Sequence, residues 1–330
     1  MATPILEVAD LRVSFAGDNR RDTLAVDGIG FSLQRGRTLG IVGESGSGKS
    51  VTALSILRLL PKAGARIGAG EVLFDGRDLI KLSEREMSEV RGNAIAMIFQ
   101  EPMTSLNPTM TVGEQIAEAI TIHRGGSRAE AMAEALRLLK EVKIPSAEFR
   151  IHEYPHQFSG GMRQRVMIAM ALACRPRILL ADEPTTALDV TIQAQVLLQL
   201  NELKQAYGMS VLFITHNLGV VAQIADRVAV MYAGEVVELA DVETLFARPM
   251  HPYTEALLRA MPRADRSTDD LEPIPGSVPG LTAMPRGCAF APRCPIRQPS
   301  CETERPELTP FGAMPHLVRC PVRIAAEAGR

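Results

Sequence analysis

The chain has 330 residues, 46% of them hydrophobic and 22% charged, with a formal net charge of −2. That length holds one large domain or two ordinary ones, and the balance is that of an ordinary globular protein rather than a disordered or fibrous one. The charge gives no positive footprint for nucleic acid, and apolar runs such as 166–173 and 178–181 fall far short of the roughly 20 residues that a spanning helix needs.

The N-terminal residues Met1–Glu7 lack a basic segment followed by an apolar core. No secretory signal is expected there, and the chain is expected in the cytosol. In chain order, residues 5–15 and 23–33 read as strands joined by a hairpin loop at 17–22, because apolar and β-branched runs flank a Gly/Asp/Asn/Arg stretch. Thr38–Val42 is a fully apolar strand, followed by a helix from Gly48 to about Leu60 that Pro61 stops. Ile95–Phe99 is a second buried-type strand. Residues 111–142 carry apolar positions at helical spacing (Ile116, Ile120; Ala135, Leu138, Leu139, Val142). Pro145 and the stretch 152–156 interrupt them. A helix over Ser159–Ala173, a strand at Ile178–Ala181, a helix over Gln193–Tyr207 and strands at Ser210–Thr215 and Arg227–Tyr232 follow.

Apolar strands alternating with helices imply an α/β fold with a mostly parallel sheet covered on both faces. Residues 101–172 form a helical subdomain inserted between two core strands, and the strands before residue 34 form an N-terminal antiparallel subdomain. The character changes after Pro262. Eleven of the 22 prolines lie in 273–321 with four of the five cysteines, so 263–330 reads as a small, irregular, Cys/Pro-rich C-terminal module after a domain spanning 1–262.

Gly43-Glu44-Ser45-Gly46-Ser47-Gly48-Lys49-Ser50 fits a phosphate loop, in the strand–loop–helix setting the chemistry needs. The glycines let successive N–H groups face phosphate oxygens, and the helix start adds a favourable dipole. Lys49 would reach the β and γ phosphates and Ser50 would ligate Mg²⁺, with Val51 next in the helix. The bland alternative is a glycine-rich turn that binds nothing. Asp182 ends an apolar strand, where a carboxylate is costly unless a cation such as Mg²⁺ sits beside it. Glu183 points differently and suits a general base on water; the alternative is a solvated acidic turn capped by Pro184. Gln100, at a strand end, could touch Mg²⁺ or the attacking water, although a lone glutamine there is usually plain surface. Ser159 can cap a helix whose Gly160 and Gly161 allow close backbone approach, which makes a good γ-phosphate seat.

Taken in this order, the phosphate loop, Gln100, Ser159-Gly160-Gly161-Met162, Asp182-Glu183 and His216 resemble the ATP-binding cassette (ABC) family. The resemblance implies a P-loop ATPase cassette that works as a pair, with Ser159, Gly160, Gly161 and Met162 serving the ATP held by the opposite subunit. It assigns Glu183 as catalytic base, His216 as the switch histidine at the γ phosphate, and Gln100 as the link to a membrane partner. Asp189 then belongs to the loop crossing between subunits, and Phe15 stacks on adenine; otherwise Phe15 is a core strand residue. Met162 stands where many relatives carry glutamine. The segments 101–108, 154–162, 181–191 and His251-Pro252-Tyr253-Thr254 further resemble bacterial dipeptide/oligopeptide importer ATPases, most of all the first ATPase subunit of the dipeptide transporter. The implied partners are a second, different ABC ATPase, two transmembrane permease subunits and, indirectly, a periplasmic binding protein, at the cytoplasmic face of the inner membrane. Nickel chelates, glutathione and opines are imported by similar systems. A soluble ABC ATPase for DNA repair or ribosomes is the other class, and it typically carries tandem cassettes or coiled coils.

Cysteines in a cytosolic protein argue for free thiols, metal or redox chemistry rather than disulfides. Cys288, Cys294, Cys301 and Cys320 lack the Cys-x2-4-Cys pairs of small zinc ribbons. Cys294-Pro295 and Cys320-Pro321 resemble the Cys-Pro of ferredoxin-type ligation. An iron–sulfur site, another metal and free thiols all stay open from the residues; the importer resemblance implies a [4Fe-4S] cluster at these four. Cys174 reads as a buried apolar residue.

Overall fold

The computed structural model describes residues 3–17, 22–61, 63–186, 188–261, 273–280, 282–312 and 316–328. The centre of the hairpin loop expected at 17–22, Ala187, and the domain boundary expected at 262–263 lie outside these residues. The chain runs β1 (Leu6–Phe15), β2 (Thr23–Leu33), β3 (Thr38–Val42), α1 (Lys49–Ile56), β4 (Ala65–Phe74), β5 (Arg77–Asp78) and α2 (Glu84–Val90). It continues with β6 (Ile95–Ile98), then the helical block α3 (Pro102–Ser105), α4 (Val112–Arg124), α5 (Arg128–Glu141), α6 (Ala147–Arg150) and α7 (Gly160–Leu172). Next come β7 (Ile178–Asp182), α8 (Val190–Tyr207), β8 (Ser210–Thr215), α9 (Leu218–Ile224), β9 (Arg227–Tyr232), β10 (Glu235–Asp241), α10 (Val242–Ala247) and α11 (Pro252–Arg259). The C-terminal part adds α12 (Ser300–Thr303), β11 (Thr309–Phe311), β12 (His316–Val318) and α13 (Pro321–Ala328).

The chain packs as two compact units, one of residues 1–33, 38–80 and 215–330, the other of 34–37 and 81–214. In the first, β2-β1-β4-β5 form an antiparallel sheet. β3 pairs parallel with β9, β9 antiparallel with β10, and β12 and β11 continue antiparallel beyond β10. In the second, β6, β7 and β8 pair in parallel. Every residue of β3, β7 and β8 is buried, which is why these strands read as continuous apolar runs rather than as alternation. Fully burying each Val, Leu or Ile stabilises by about 1.5–3 kcal/mol.

The differences from the sequence reading have local causes. The single helical stretch expected over 111–142 is two helices, because Gly125 and Gly126 take φ +69° and +96° and Ser127 restarts the chain with a reciprocal cap to Glu130. The helix after the phosphate loop ends at Ile56 rather than near Leu60, with Arg58 at φ +52° turning the chain. β4 has no counterpart in the sequence reading. Its alternation is broken by Gly68 and Gly70, and Gly70 sits where an added Cβ would lie 2.5 Å from the Asp10 carbonyl oxygen. The C-terminal segment is less irregular than its prolines suggest, since β12 extends the sheet at β10 and carries β11 with it.

Candidate functional site

Each proposed catalytic residue follows the carboxyl end of a parallel strand, the place where ligands bind in open α/β sheets. β3 feeds the phosphate loop, β6 feeds Gln100, β7 ends in Asp182 and precedes Glu183, and β8 precedes His216.

The loop after β3 is held from within. Lys49 is buried, and its Nζ donates to the carbonyls of Gly43 (2.7 Å) and Glu44 (3.0 Å). Ser47 N–H donates back to the Glu44 carbonyl (3.2 Å), and Gly234 N–H donates to the Ser47 carbonyl (3.0 Å). Gly48, at φ +96°, opens α1; a Cβ there would lie 2.7 Å from the Ala25 carbonyl oxygen. Only glycine meets both demands. Ser45 and Gly46 are exposed, while Ser50 and Val51 are half-buried in the first turn of α1. Phe15 is half-buried at the end of β1, opposite Thr23 and Ala65. His216 is exposed and stands just before α9, which Asn217 caps.

In the second unit, Gln100 and Glu183 come together across 83 residues. Gln100 Nε2 donates to Glu183 Oε2 at 3.3 Å, and Thr186 Oγ1 donates to the same oxygen at 2.9 Å. Glu183 sits at φ +46°, in the left-handed region, and its N–H donates to the Ile214 carbonyl (2.9 Å). Such a backbone costs about 1–3 kcal/mol in a non-glycine residue and persists where the surroundings over-determine it. Asp182 is 4% exposed. Ser159 Oγ accepts from Met162 N–H at 3.4 Å and caps α7, leaving Ser159 and Gly160 exposed at the helix start. A Cβ on Gly161 would lie 2.9 Å from Ile192 Cγ2. Asp189 Oδ1 accepts from Ile192 N–H at 3.0 Å and caps α8.

The four tail cysteines line one cavity of about 90 Å³. Gln298 N–H reaches Cys301 Sγ at 3.5 Å. Burial pushes the thiols of Cys288, Cys294 and Cys320 up from their ordinary value. Among the described residues no three His, Cys, Asp or Glu side chains sit close enough to share one metal ion. Cys174 is buried with its sulfur 3.5 Å from the Ala119 carbonyl oxygen.

Two sets of contacts escaped the sequence reading. Arg293 forms a two-pronged ion pair with Glu44 of the phosphate loop, Nη1–Oε2 at 2.7 Å and Nη2–Oε1 at 3.1 Å. Tyr253 Oη accepts from the Glu44 N–H at 2.9 Å. Glu238, fully buried on β10, accepts the N–H groups of Met250 (2.7 Å) and His251 (2.8 Å) and meets His316 Nε2 at 2.7 Å. The His251-Pro252-Tyr253-Thr254 segment was visible in the sequence, but its partners lie far away in the chain.

The family description "ABC transporter" matches residues 26–186, and "Oligopeptide/dipeptide transporter, C-terminal region" matches residues 237–301. The oligopeptide transport ATP-binding protein OppD of Salmonella typhimurium is 53% identical over 305 residues, 92% of this chain and 90% of that protein. The chain belongs to the ATP-binding subunits of peptide ABC transporters. A probable peptide ABC transporter ATP-binding protein of Sinorhizobium fredii is 58% identical over 306 residues, covering 92% of this chain and 91% of its own length. Among solved structures, the dimeric post-hydrolysis form of the cassette MJ0796 bound to ADP and Pi matches with a TM-score of 0.64 and 29% identity, over 72% of this chain and 98% of that one. This peptide-transporter subunit is therefore an ATPase with the cassette fold. No helix among its described residues is long and apolar enough to cross a membrane.

Proposed function

We propose that this subunit hydrolyses ATP in a pair with a second, different ABC ATPase, driving import of dipeptides or oligopeptides through two permease subunits supplied by a periplasmic binding protein. It works at the cytoplasmic face of the bacterial inner membrane. The observation that carries this reading is a single set of motifs in a chain matched by both the cassette and the peptide-transporter C-terminal descriptions. One chain then supplies a phosphate loop to one ATP and the exposed, Ser159-capped start of α7 to another. The dimeric state of the similar cassette MJ0796 supports that arrangement. Exposed apolar side chains at Phe99, Phe149 and Tyr154 suit contact with membrane partners.

Gly43–Val51 would wrap the phosphates, with Lys49 turning its ammonium from the loop carbonyls to the β and γ oxygens. Phe15 would stack on the base. Glu183, fixed by Gln100 and Thr186, would orient water and take its proton, while His216 would stabilise the transferred phosphoryl group. Asp182, a buried carboxylate at a strand end, fits a cation. With Ser50 and Gln100 it would hold Mg²⁺, which neutralises charge on the phosphates. Asp189 would lie along the crossing loop between subunits.

The importer resemblance implies a [4Fe-4S] cluster at Cys288, Cys294, Cys301 and Cys320, and these four side chains line one cavity. A cluster would supply a structural cross-link for this proline-rich segment. Anaerobic purification should give brown protein with about four irons per chain, and Cys301→Ser should lose them; colourless, iron-free protein would end this part of the proposal. The importer reading is tested by affinity capture from native membranes. Two permeases and a second ATPase are expected, and capture of ribosomal or DNA-repair proteins instead would overturn it.

A further inference from the structure

Glu44 places a carboxylate in the very loop that is read as seating a triphosphate. An unpaired negative charge there would oppose binding of a polyanion. It is not unpaired, because the C-terminal segment delivers Arg293 to it. The Arg293 side chain is 4% exposed and that of Glu44 30%. All five guanidinium N–H donors have acceptors: the two Glu44 oxygens, Tyr232 Oη (3.4 Å), the Pro275 carbonyl (2.8 Å) and the Ile274 carbonyl (3.3 Å). The guanidinium also lies over the rings of Tyr232 and Phe290, at 5.7 and 5.9 Å. A group held at every donor is a fixed charge, not a surface side chain that happens to meet an acid. Glu44 is equally constrained. Its carboxylate goes to Arg293, its N–H to Tyr253, and its carbonyl to Lys49 and Ser47.

We propose that Arg293 is a positioning residue for nucleotide binding that acts through Glu44: it neutralises the Glu44 carboxylate and holds it away from the phosphate seat. This rests on the reading of Gly43–Ser50 as the phosphate-binding loop. Arg293 is the chain neighbour of Cys294, so the cysteine-lined segment reaches the phosphate loop through this side chain.

The test measures the Kd of the full chain for ATP, ADP and AMP by competition with a fluorescent ATP analogue. Arg293→Met, Glu44→Gln, the double variant and Lys49→Ala are compared, each checked for folding by thermal melting. Arg293→Met should weaken ATP by about tenfold (~1.4 kcal/mol), ADP less and AMP least. Adding Glu44→Gln should restore ATP binding to within about threefold of wild type, because the exposed charge is gone. Equal loss for all three nucleotides, or no rescue in the double variant, overturns the proposal, since a merely structural arginine would behave that way. Should Arg293→Met fail to fold, Arg293→Lys decides: it keeps a positive charge beside Glu44, so ATP binding should weaken less than about threefold, and a roughly tenfold loss shared equally by ATP, ADP and AMP refutes the proposal. Retained ATP binding in Lys49→Ala would instead mark failure of the phosphate-loop reading itself.

Discussion

Replacing Glu238 with alanine should destabilise the C-terminal half of the first unit by about 3–5 kcal/mol. The carboxylate is fully buried and gathers three donors from distant segments, Met250 N, His251 N and His316 Nε2, all within 2.8 Å. Hydrogen bonds to a charged acceptor contribute about 1.5–3 kcal/mol each, and the two backbone N–H groups would be stranded without a partner in a dry site. Relief from burying a charge offsets part of that sum, which sets the lower end. At about 2–4 °C per kcal/mol for a unit of this size, the melting temperature should fall by about 10 °C. Glu238→Gln should lose less, because one oxygen still accepts while the amide faces a donor. β12 should lose hydrogen-exchange protection first, since it pairs with β10 at Glu238 and Leu239. Scanning fluorimetry of the full chain checks this. A fall of under 2 °C for Glu238→Ala would mean that this carboxylate does not tie β10, α11 and β12 together.

The same region should confer acid sensitivity. Burial holds the His251 imidazole down at about 4 from its ordinary 6.5, against the opposing pull of Glu238 and with that of Arg319. The unfolded chain therefore binds this proton more tightly. The stability present above pH 6.5 is lost as pH falls towards 4, by about 2 kcal/mol at pH 5. Melting at pH 7.5 and pH 5.0 measures it, and His251→Asn, which keeps an acceptor for Tyr253 N–H, should flatten the dependence. An unchanged pH slope in that variant would rule out His251 as the source. Gly48→Ala should weaken ATP binding by more than tenfold, because its Cβ meets the Ala25 carbonyl at 2.7 Å and its φ of +96° disfavours any side chain. Wild-type affinity in Gly48→Ala would show that the loop can shift without cost.

The strand–loop–helix at 38–56 and the strands at 178–182, 210–215 and 227–232 were legible because burial of every strand residue but Arg227 leaves mostly apolar runs. α2 was missed although Ser83 and Glu86 form a capping box, a signal written in the sequence. β4 was hidden because its glycines serve a bulge against β1 rather than a turn. The motif residues of the candidate site were readable one by one. What tethers them was not. Glu44 and Arg293 are 249 residues apart, and Glu238 and His316 are 78 apart. Their pairing depends on the C-terminal segment returning to β10, which no local pattern encodes.

On the proposed function, hydrolysis at Glu183 powers peptide import by this subunit. The direct measurement replaces Glu183 with glutamine in the assembled transporter and follows ATP turnover together with uptake of a labelled peptide. Gln100 and Thr186 would still contact the side chain, so the complex should assemble and bind ATP. Turnover should fall by at least a hundredfold, a barrier increase of about 2.7 kcal/mol, and uptake should stop. Turnover and uptake at wild-type levels with Glu183→Gln would contradict the claim.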